Sequence, residues 1–342
     1  MNNSKKYFTT IENVKDTLDE YGVAIIPSLL NEEECDNMVN NMWNYLEHIT
    51  KDWDNSEDYS ILGQIWNYLT SSEKKDPYKV KSIKKNDPAT WKHIYNLTGP
   101  NLIFQYWNIG HSQMCWDVRQ NPKIVDIFAK IFNVDRTELI ASFDGASIQL
   151  PPEVTKFGWR EKSKEWFHTD HSYIDSTFKN VQSWVTAFDV NENDATLVIL
   201  ESSHKYHKDC GELFNITSPK NFKVLSKEEL DFYLDKCNKN YITCPKGSLV
   251  LWDSRTVHYA CEASQKRINQ NIRCISYLCY ASKKLLDESN KKIRKTAFDH
   301  LYSSNHDPLN VTLKYNSPYD DNDDITTKIN RPVLTELGLN LC

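Results

Sequence analysis

Trp166-Phe167-His168-Thr169-Asp170-His171 is the stretch on which the reading of this chain turns. It reads as a β-strand. On a strand, side chains at i and i+2 share a face, so His168 and Asp170 project together while His171 turns away. An imidazole and a carboxylate in that relation are two corners of a two-histidine, one-carboxylate triad. That donor set holds non-haem Fe(II) and leaves coordination positions open. With ten histidines in 342 residues, one His-x-Asp by chance is unsurprising. Its weight comes from the sequence around it.

Outward from this stretch lies a series of short strand-like runs: 139–143, 146–150, 166–170, 182–190, 196–200, 248–252, 256–259 and 272–280. The runs are not separated by regular helical segments, which excludes alternating β-α units and a parallel sheet. Eight short strands with helical sequence on either side predict a mainly β, α+β fold. Its core is expected to be a double-stranded β-helix, a cupin-like jelly roll.

Before residue 138 the pattern is mostly helical. Residues 10–21 suggest a short helix, and Gly22 to Pro27 a strand closed by proline. Asn31-Glu32-Glu33-Glu34 forms a capping box. The helix it opens carries Cys35, Met38, Val39, Met42, Trp43, Leu46 and Ile49 on one face, a stripe suited to core packing. Polar sequence at 50–100, with Trp53, Trp66 and Trp91, predicts short helices and loops; residues 114–132 predict another helix. No linker or internal repeat divides the chain. The expectation is one domain over 1–342. A mostly helical part at 1–137 packs on a core at 138–282 that carries an insert at 205–243, and a helix and tail follow at 283–342.

Composition narrows the class. The chain is 39% hydrophobic and 12% aromatic, which is globular and not disordered. A net charge of −6 argues against nucleic acid as a partner. No run approaches a membrane span. Nine scattered cysteines, with no C-x-x-C, fit free thiols in a reducing compartment better than a disulfide framework or structural zinc. The polar start at Met1 shows no signal-peptide pattern, so a cytoplasmic location is expected. Oligomeric state is not legible.

The third metal ligand and a cation follow downstream. Lys246-Gly247 turns into an apolar strand that leads through Asp253 to His258, 88 residues after Asp170. Fifteen residues later, Arg273 stands in the strand-like run Ile272 to Tyr277. A buried guanidinium is costly unless paired, and its planar fork suits a carboxylate. His-x-Asp, a distal His, then Arg on the last core strand is the order of parts in an Fe(II)/2-oxoglutarate oxygenase.

On these residues the chain resembles the phytanoyl-CoA dioxygenase family over most of residues 20–285. Tyr21 to Pro27 and the helix after Asn31 look like the family's opening. His168-Thr169-Asp170 matches its H-x-D, Gly247 to His258 its distal-His strand, and Glu201-Ser202-Ser203-His204 its P-G-S-H in altered form. The resemblance implies Fe(II) on His168, Asp170 and His258, with 2-oxoglutarate as cosubstrate and O2 as oxidant. It places Arg273 on the far carboxylate of 2-oxoglutarate, with Arg267 as its rival, Trp184 beside the cosubstrate and Gln149 near it. Ala260 stands where the family often has Ser or Thr. The implied activity is hydroxylation of a C–H bond in a small molecule, with release of succinate and CO2. Two alternatives stay open: a catalytically silent binding protein, and a cupin-like metalloenzyme that does not use 2-oxoglutarate.

Other polar groups read more simply. His204 and His207 have helical spacing but suit a turn. His171, Trp159, Arg160, Lys164, Trp166 and Tyr173 are candidates for a substrate mouth. The basic stretch from Lys283 to Lys295 suits a solvated helix face, and the acidic run 320–324 a surface segment.

Overall fold

The computed structural model describes residues 4–55, 81–98, 102–314 and 329–342. Trp66, Pro318 and the acidic run 320–324 lie outside them. Two antiparallel sheets face each other. The larger is built on β1 (Val23–Ile26), β2 (Leu139–Ala141), β3 (Ala146–Gln149), β5 (Val181–Thr186), β9 (Leu249–Asp253) and β11 (Arg273–Ser282), in the order β1-β9-β5-β11-β2 with β3 also on β11. The smaller runs β7 (Phe222–Val224), β4 (His168–Asp170), β10 (His258–Cys261), β6 (Thr196–Leu200) and β8 (Lys239–Tyr241). Taken in chain order, β3, β4, β5, β6, β8, β9, β10 and β11 pass between the two sheets as a double-stranded β-helix does.

Side-chain alternation sorts each strand into two environments. On β9, Leu249 and Leu251 face the helices, while Val250 and Trp252 face the space between the sheets. On β6, Leu197 and Ile199 turn inward, and Val198 and Leu200 pack under the insert. The same parity sends Trp184 of β5 inward and Val185 outward.

The outer face of the larger sheet is covered by α1 (Val14–Tyr21), α2 (Glu32–Ile49), α3 (Gln113–Arg119) and α4 (Pro122–Phe132). The capping box forms as expected. Glu34 N–H donates to Asn31 Oδ1 (2.9 Å), and Asn31 N–H to Glu34 Oε2 (2.8 Å). Six residues of the α2 stripe are buried and Val39 is partly so. The single helix expected at 114–132 is two, because Asn121 caps a new helix whose first residue is Pro122.

Three more differences bear on the site. The insert at 205–243 holds α5 (His207–Leu213) and α6 (Lys227–Leu234), but also the edge strands β7 and β8. Lys239-Asn240-Tyr241 is short, polar and half-exposed, so β8 carries no apolar alternation, although it completes the smaller sheet. Leu139–Ala141 is correspondingly an edge extension. The tail is not featureless: β12 (Ser303–Ser304) and β13 (Leu313–Lys314) form a hairpin after α7 (Glu288–His300). The basic stretch on and before α7 is largely engaged. Lys284 pairs with Glu138, Lys291 with Glu288 and Lys295 with Asp299, while Arg294 is buried against the Leu341 and Cys342 carbonyls. All nine cysteines are free. Among the described residues, no helix is long and apolar enough to cross a membrane.

Buried neutral histidines give this fold an acid sensitivity. His207 is fully buried, stacked on Tyr173 at 4.1 Å, with Nε2 3.2 Å from the His171 carbonyl. Burial pulls its pKa down to about 4, and burial does the same to His93. A depressed histidine binds its proton more readily in the unfolded chain. Its contribution is therefore complete above the unfolded value of about 6.5 and is lost as pH falls toward 4. Urea unfolding of the metal-free protein is expected to show about 2 kcal/mol less stability per such histidine at pH 5 than at pH 7. Equal midpoints and slopes at the two pH values would contradict it.

Candidate active site

His168 and Asp170 stand two apart on β4, and His258 begins β10, directly opposite His168 in the antiparallel register. Strand alternation turns all three into the space between the sheets, where one nitrogen or oxygen from each lies within 4.8 Å of the others. Asp170 Oδ2 is 3.5 Å from His168 Nε2 and 3.3 Å from His258 Nε2. All three residues are buried.

The surroundings fix the proton on each imidazole. His168 Nδ1 donates to the Trp166 carbonyl (3.1 Å) and His258 Nδ1 to the Thr256 carbonyl (2.8 Å). A carbonyl can only accept, so Nδ1 carries a proton in each ring and Nε2 is the nitrogen turned to the cavity. Trp252 Nε1–H donates to His258 Nε2 (3.2 Å), in keeping with a lone pair there. Burial, then the neighbouring His168, pushes the His258 imidazole below its usual pKa. Burial opposes ionisation of Asp170, but the adjacent His306 and His168 outweigh it and hold the carboxyl well below its usual range. Gln182 Nε2 steadies Asp170 Oδ2 at 2.8 Å. Three potential metal donors thus converge on one point, two imidazole nitrogens and an ionised carboxylate. Two imidazoles and one carboxylate are the donor set that suits Fe(II).

The N-terminal segment braces the distal histidine. Gly22 ends α1 at φ +75°, and a Cβ there would lie 2.5 Å from Thr256 Oγ1. This close approach lets Thr256 Oγ1 donate to the Gly22 carbonyl (2.9 Å) and sets the loop that delivers the Thr256 carbonyl to His258.

The triad opens on a cavity of about 810 Å³. Arg273 and Trp184 line it, the guanidinium lying 5.4 Å over the Trp184 ring. Arg273 is 6% exposed and donates to the Ala195 carbonyl (2.9 Å). Among the described residues no carboxylate pairs with it, and the buried Trp184 Nε1 has no hydrogen-bond partner. An unpaired buried cation beside an orphaned N–H fits an anionic oxygen donor such as the far carboxylate of 2-oxoglutarate. Arg267 is differently placed. Its Nε and Nη2 hold both oxygens of Glu153 (2.7 and 2.5 Å), and Nη1 reaches Asp194 (3.4 Å). Gln149 sits opposite Arg273 in the β3–β11 register but lines a separate small recess shared with Arg267 and Arg273.

The remaining candidates divide. Trp166 lines the cavity, stacked on His168 at 4.5 Å. Tyr173 packs under the insert, and Arg160 is spent on the Glu262 and Asp194 carbonyls. His204 and His207 bond backbone carbonyls of Asp19 and His171. Sequence reasoning passed over Gln182, Trp252, Asp144 and His306. Gln182 and Trp252 lie on recognised strands in the inward parity, a signal that could have found them. His306 comes from the tail hairpin, where no periodic pattern marks it.

Comparison with known proteins places the chain in a family. The chain is 29% identical over 236 residues to Ava biosynthesis cluster protein O of Aspergillus versicolor, spanning 66% of this chain and 72% of that one. A protein of Salmonella typhimurium LT2 of known crystal structure shares the fold at a TM-score of 0.56 and 12% identity, over 96% of this chain and 82% of its own. AviO1 of Streptomyces viridochromogenes Tue57 superposes at a TM-score of 0.46 and 11% identity, over 80% of this chain and 96% of its own. Residues 18–268 match the sequence profile of phytanoyl-CoA dioxygenase (PhyH), well over half of the chain. The chain therefore belongs to the phytanoyl-CoA dioxygenase family, whose oxygenases work with Fe(II), 2-oxoglutarate and O2.

Proposed function

We propose that the protein hydroxylates a C–H bond of a small molecule, with Fe(II) held by His168, Asp170 and His258 and the far carboxylate of 2-oxoglutarate held by Arg273. The observation that carries this is the placing of three converging donors, an unpaired Arg273 and an orphaned Trp184 N–H in one cavity. Bound there, Fe(II) with 2-oxoglutarate and O2 supplies the oxidant, and succinate and CO2 leave. The chain supplies position and seclusion. Gln182 holds Asp170, the Trp166 and Thr256 carbonyls hold the two imidazoles, and the rings of Trp166, Phe222 and Trp252 line the cavity beside the triad. A small-molecule substrate suits a cavity of this size, and the Aspergillus relative carries a biosynthesis cluster in its name.

The first step of the test needs no substrate. Under argon, Fe(II) and then 2-oxoglutarate are added to metal-free protein, and the weak visible charge-transfer band of the chelate is followed. The band is expected, and succinate release in air is expected to depend on both additions. Iron binding without the band would point to a cupin-like enzyme that does not use 2-oxoglutarate. A band without succinate release under any substrate screened would favour a silent binding protein.

A further inference from the structure

The tail hairpin closes one side of the metal cavity, although nothing in its sequence marks it as part of the site. Between β12 and β13, Asn305, His306, Asp307, Asn310 and Thr312 all line the cavity. The loop is tightly built. Asp307 Oδ1 accepts from the backbone N–H of Leu309 (2.8 Å) and Asn310 (3.2 Å), and Oδ2 from the Asn310 side chain (2.8 Å). Asn305 N–H donates to the Thr312 carbonyl (3.1 Å), and Thr312 N–H donates back to Asn305 Oδ1 (2.8 Å). Two anchors fix the loop to the rest of the molecule. Ser304 N–H donates to the Phe143 carbonyl (2.9 Å), with Phe143 N–H returned to Ser304 Oγ (3.0 Å). Asn221, just before β7, donates to Asp307 Oδ2 (2.9 Å).

This scaffold holds His306 against the carboxylate of the triad. His306 Nε2 is buried, has no hydrogen-bond partner among the described residues, and lies 4.0 Å from Asp170 Oδ1. The other carboxylate oxygen, Oδ2, is the one that faces His168, His258 and Gln182. The two oxygens of Asp170 are thus addressed by different groups: Oδ2 by the two triad imidazoles and Gln182 and, among the described residues, Oδ1 by His306. His306 is itself outside the three-donor cluster.

We infer that His306 is a positioning residue for the metal site: it holds Asp170 Oδ1 from the cavity side so that the carboxylate offers Oδ2 alone to the metal. The 4.0 Å separation is just outside hydrogen-bonding range, so a small side-chain shift or one intervening water completes the contact. Outer partners of this kind fix the orientation of a ligand and raise metal affinity. The C-terminal hairpin then belongs to the metal centre of this chain, and the inference rests on the assignment of Asp170 as a ligand.

The test pairs two substitutions. His306→Phe keeps a planar ring and removes the N–H; His306→Gln returns an N–H close to the same place. Anaerobic Fe(II) titration, and the position of the charge-transfer band with 2-oxoglutarate, are read for both and for the unaltered protein. His306→Phe is expected to bind Fe(II) about tenfold more weakly with a displaced band, and His306→Gln to stay within about threefold of the unaltered protein. Far-UV circular dichroism and melting temperature accompany each sample. Fe(II) affinity and band unchanged in His306→Phe would overturn the inference while leaving the metal centre standing, as would His306→Gln as weak as His306→Phe. Failure of the unaltered protein to bind Fe(II) would overturn the metal centre itself and the inference with it.

Discussion

Replacing Asp170 by Ala is expected to abolish turnover and to lower Fe(II) affinity by roughly two to three orders of magnitude, taking several kcal/mol per lost donor. Asp170 is the only negative group of the triad, and both imidazole Nε2 atoms face its Oδ2. Without it the site keeps two neutral nitrogen donors and no charge to favour a dication. The same substitution has an informative effect on stability. In the metal-free chain, Asp170 is a buried carboxylate, 5% exposed, whose surroundings favour its ionised form. A carboxyl held below its usual range contributes stability at neutral pH, and its removal also leaves the buried Gln182 amide without its acceptor. Metal-free Asp170→Ala should therefore melt below the unaltered protein, and added Fe(II) should raise the melting temperature of the unaltered protein only. Isothermal titration with Fe(II) under argon and a thermal melt measure both effects. An Asp170→Ala protein that bound Fe(II) normally would remove Asp170 from the metal centre.

Much of this site was legible because strand parity is a two-state code. Once 166–170 is taken as a strand, His168 and Asp170 must share a face, and the structure puts them there. The jelly-roll order then brings a strand starting at His258 against β4, so two residues 90 positions apart become cross-strand partners. Arg273 was legible for a similar reason: a cation in an apolar strand needs a partner, and the cavity it lines is where one fits. What escaped notice lacked any such code. Lys239-Asn240-Tyr241 has one exposed and two half-buried residues, so its role as an edge strand comes from its neighbours and not from its pattern. His306 comes within 4.0 Å of Asp170 through a hairpin whose strands are two residues each, held by side-chain bonds of Asp307 and Asn305 that no periodicity foretells. The inward faces of β5 and β9 were available, and Gln182 and Trp252 could have been drawn from them.

The contrast between Arg273 and Arg267 gives the sharpest separation of function from stability. Both are buried arginines near the start of the last core strand, and sequence alone left them as rivals. Their partners differ. Arg267 already holds Glu153 through two bonds and touches Asp194, which is 4% exposed. Arg267→Ala leaves those carboxylates without their cation, and breaking a buried pair from one side costs about 3–5 kcal/mol. Because the Glu153 side chain is 24% exposed, water recovers part of that and the lower end is expected. Arg273 holds a single backbone carbonyl and no carboxylate. Arg273→Ala removes no ion pair from the folded chain, so its melting temperature should change little, while 2-oxoglutarate loses the cation opposite its far carboxylate. Truncating one side of a buried charge-assisted pair costs about 2–5 kcal/mol, which is roughly 30-fold to several thousandfold in 2-oxoglutarate affinity. Fe(II) affinity in the absence of 2-oxoglutarate should stay as it was, since Arg273 does not touch the triad. Titration of the charge-transfer band with 2-oxoglutarate, beside urea unfolding of each variant, reads the two effects separately. An Arg267→Ala protein that kept its stability and lost 2-oxoglutarate would reverse the assignment, because the Glu153 pair would then be an idle arrangement broken when the cosubstrate binds.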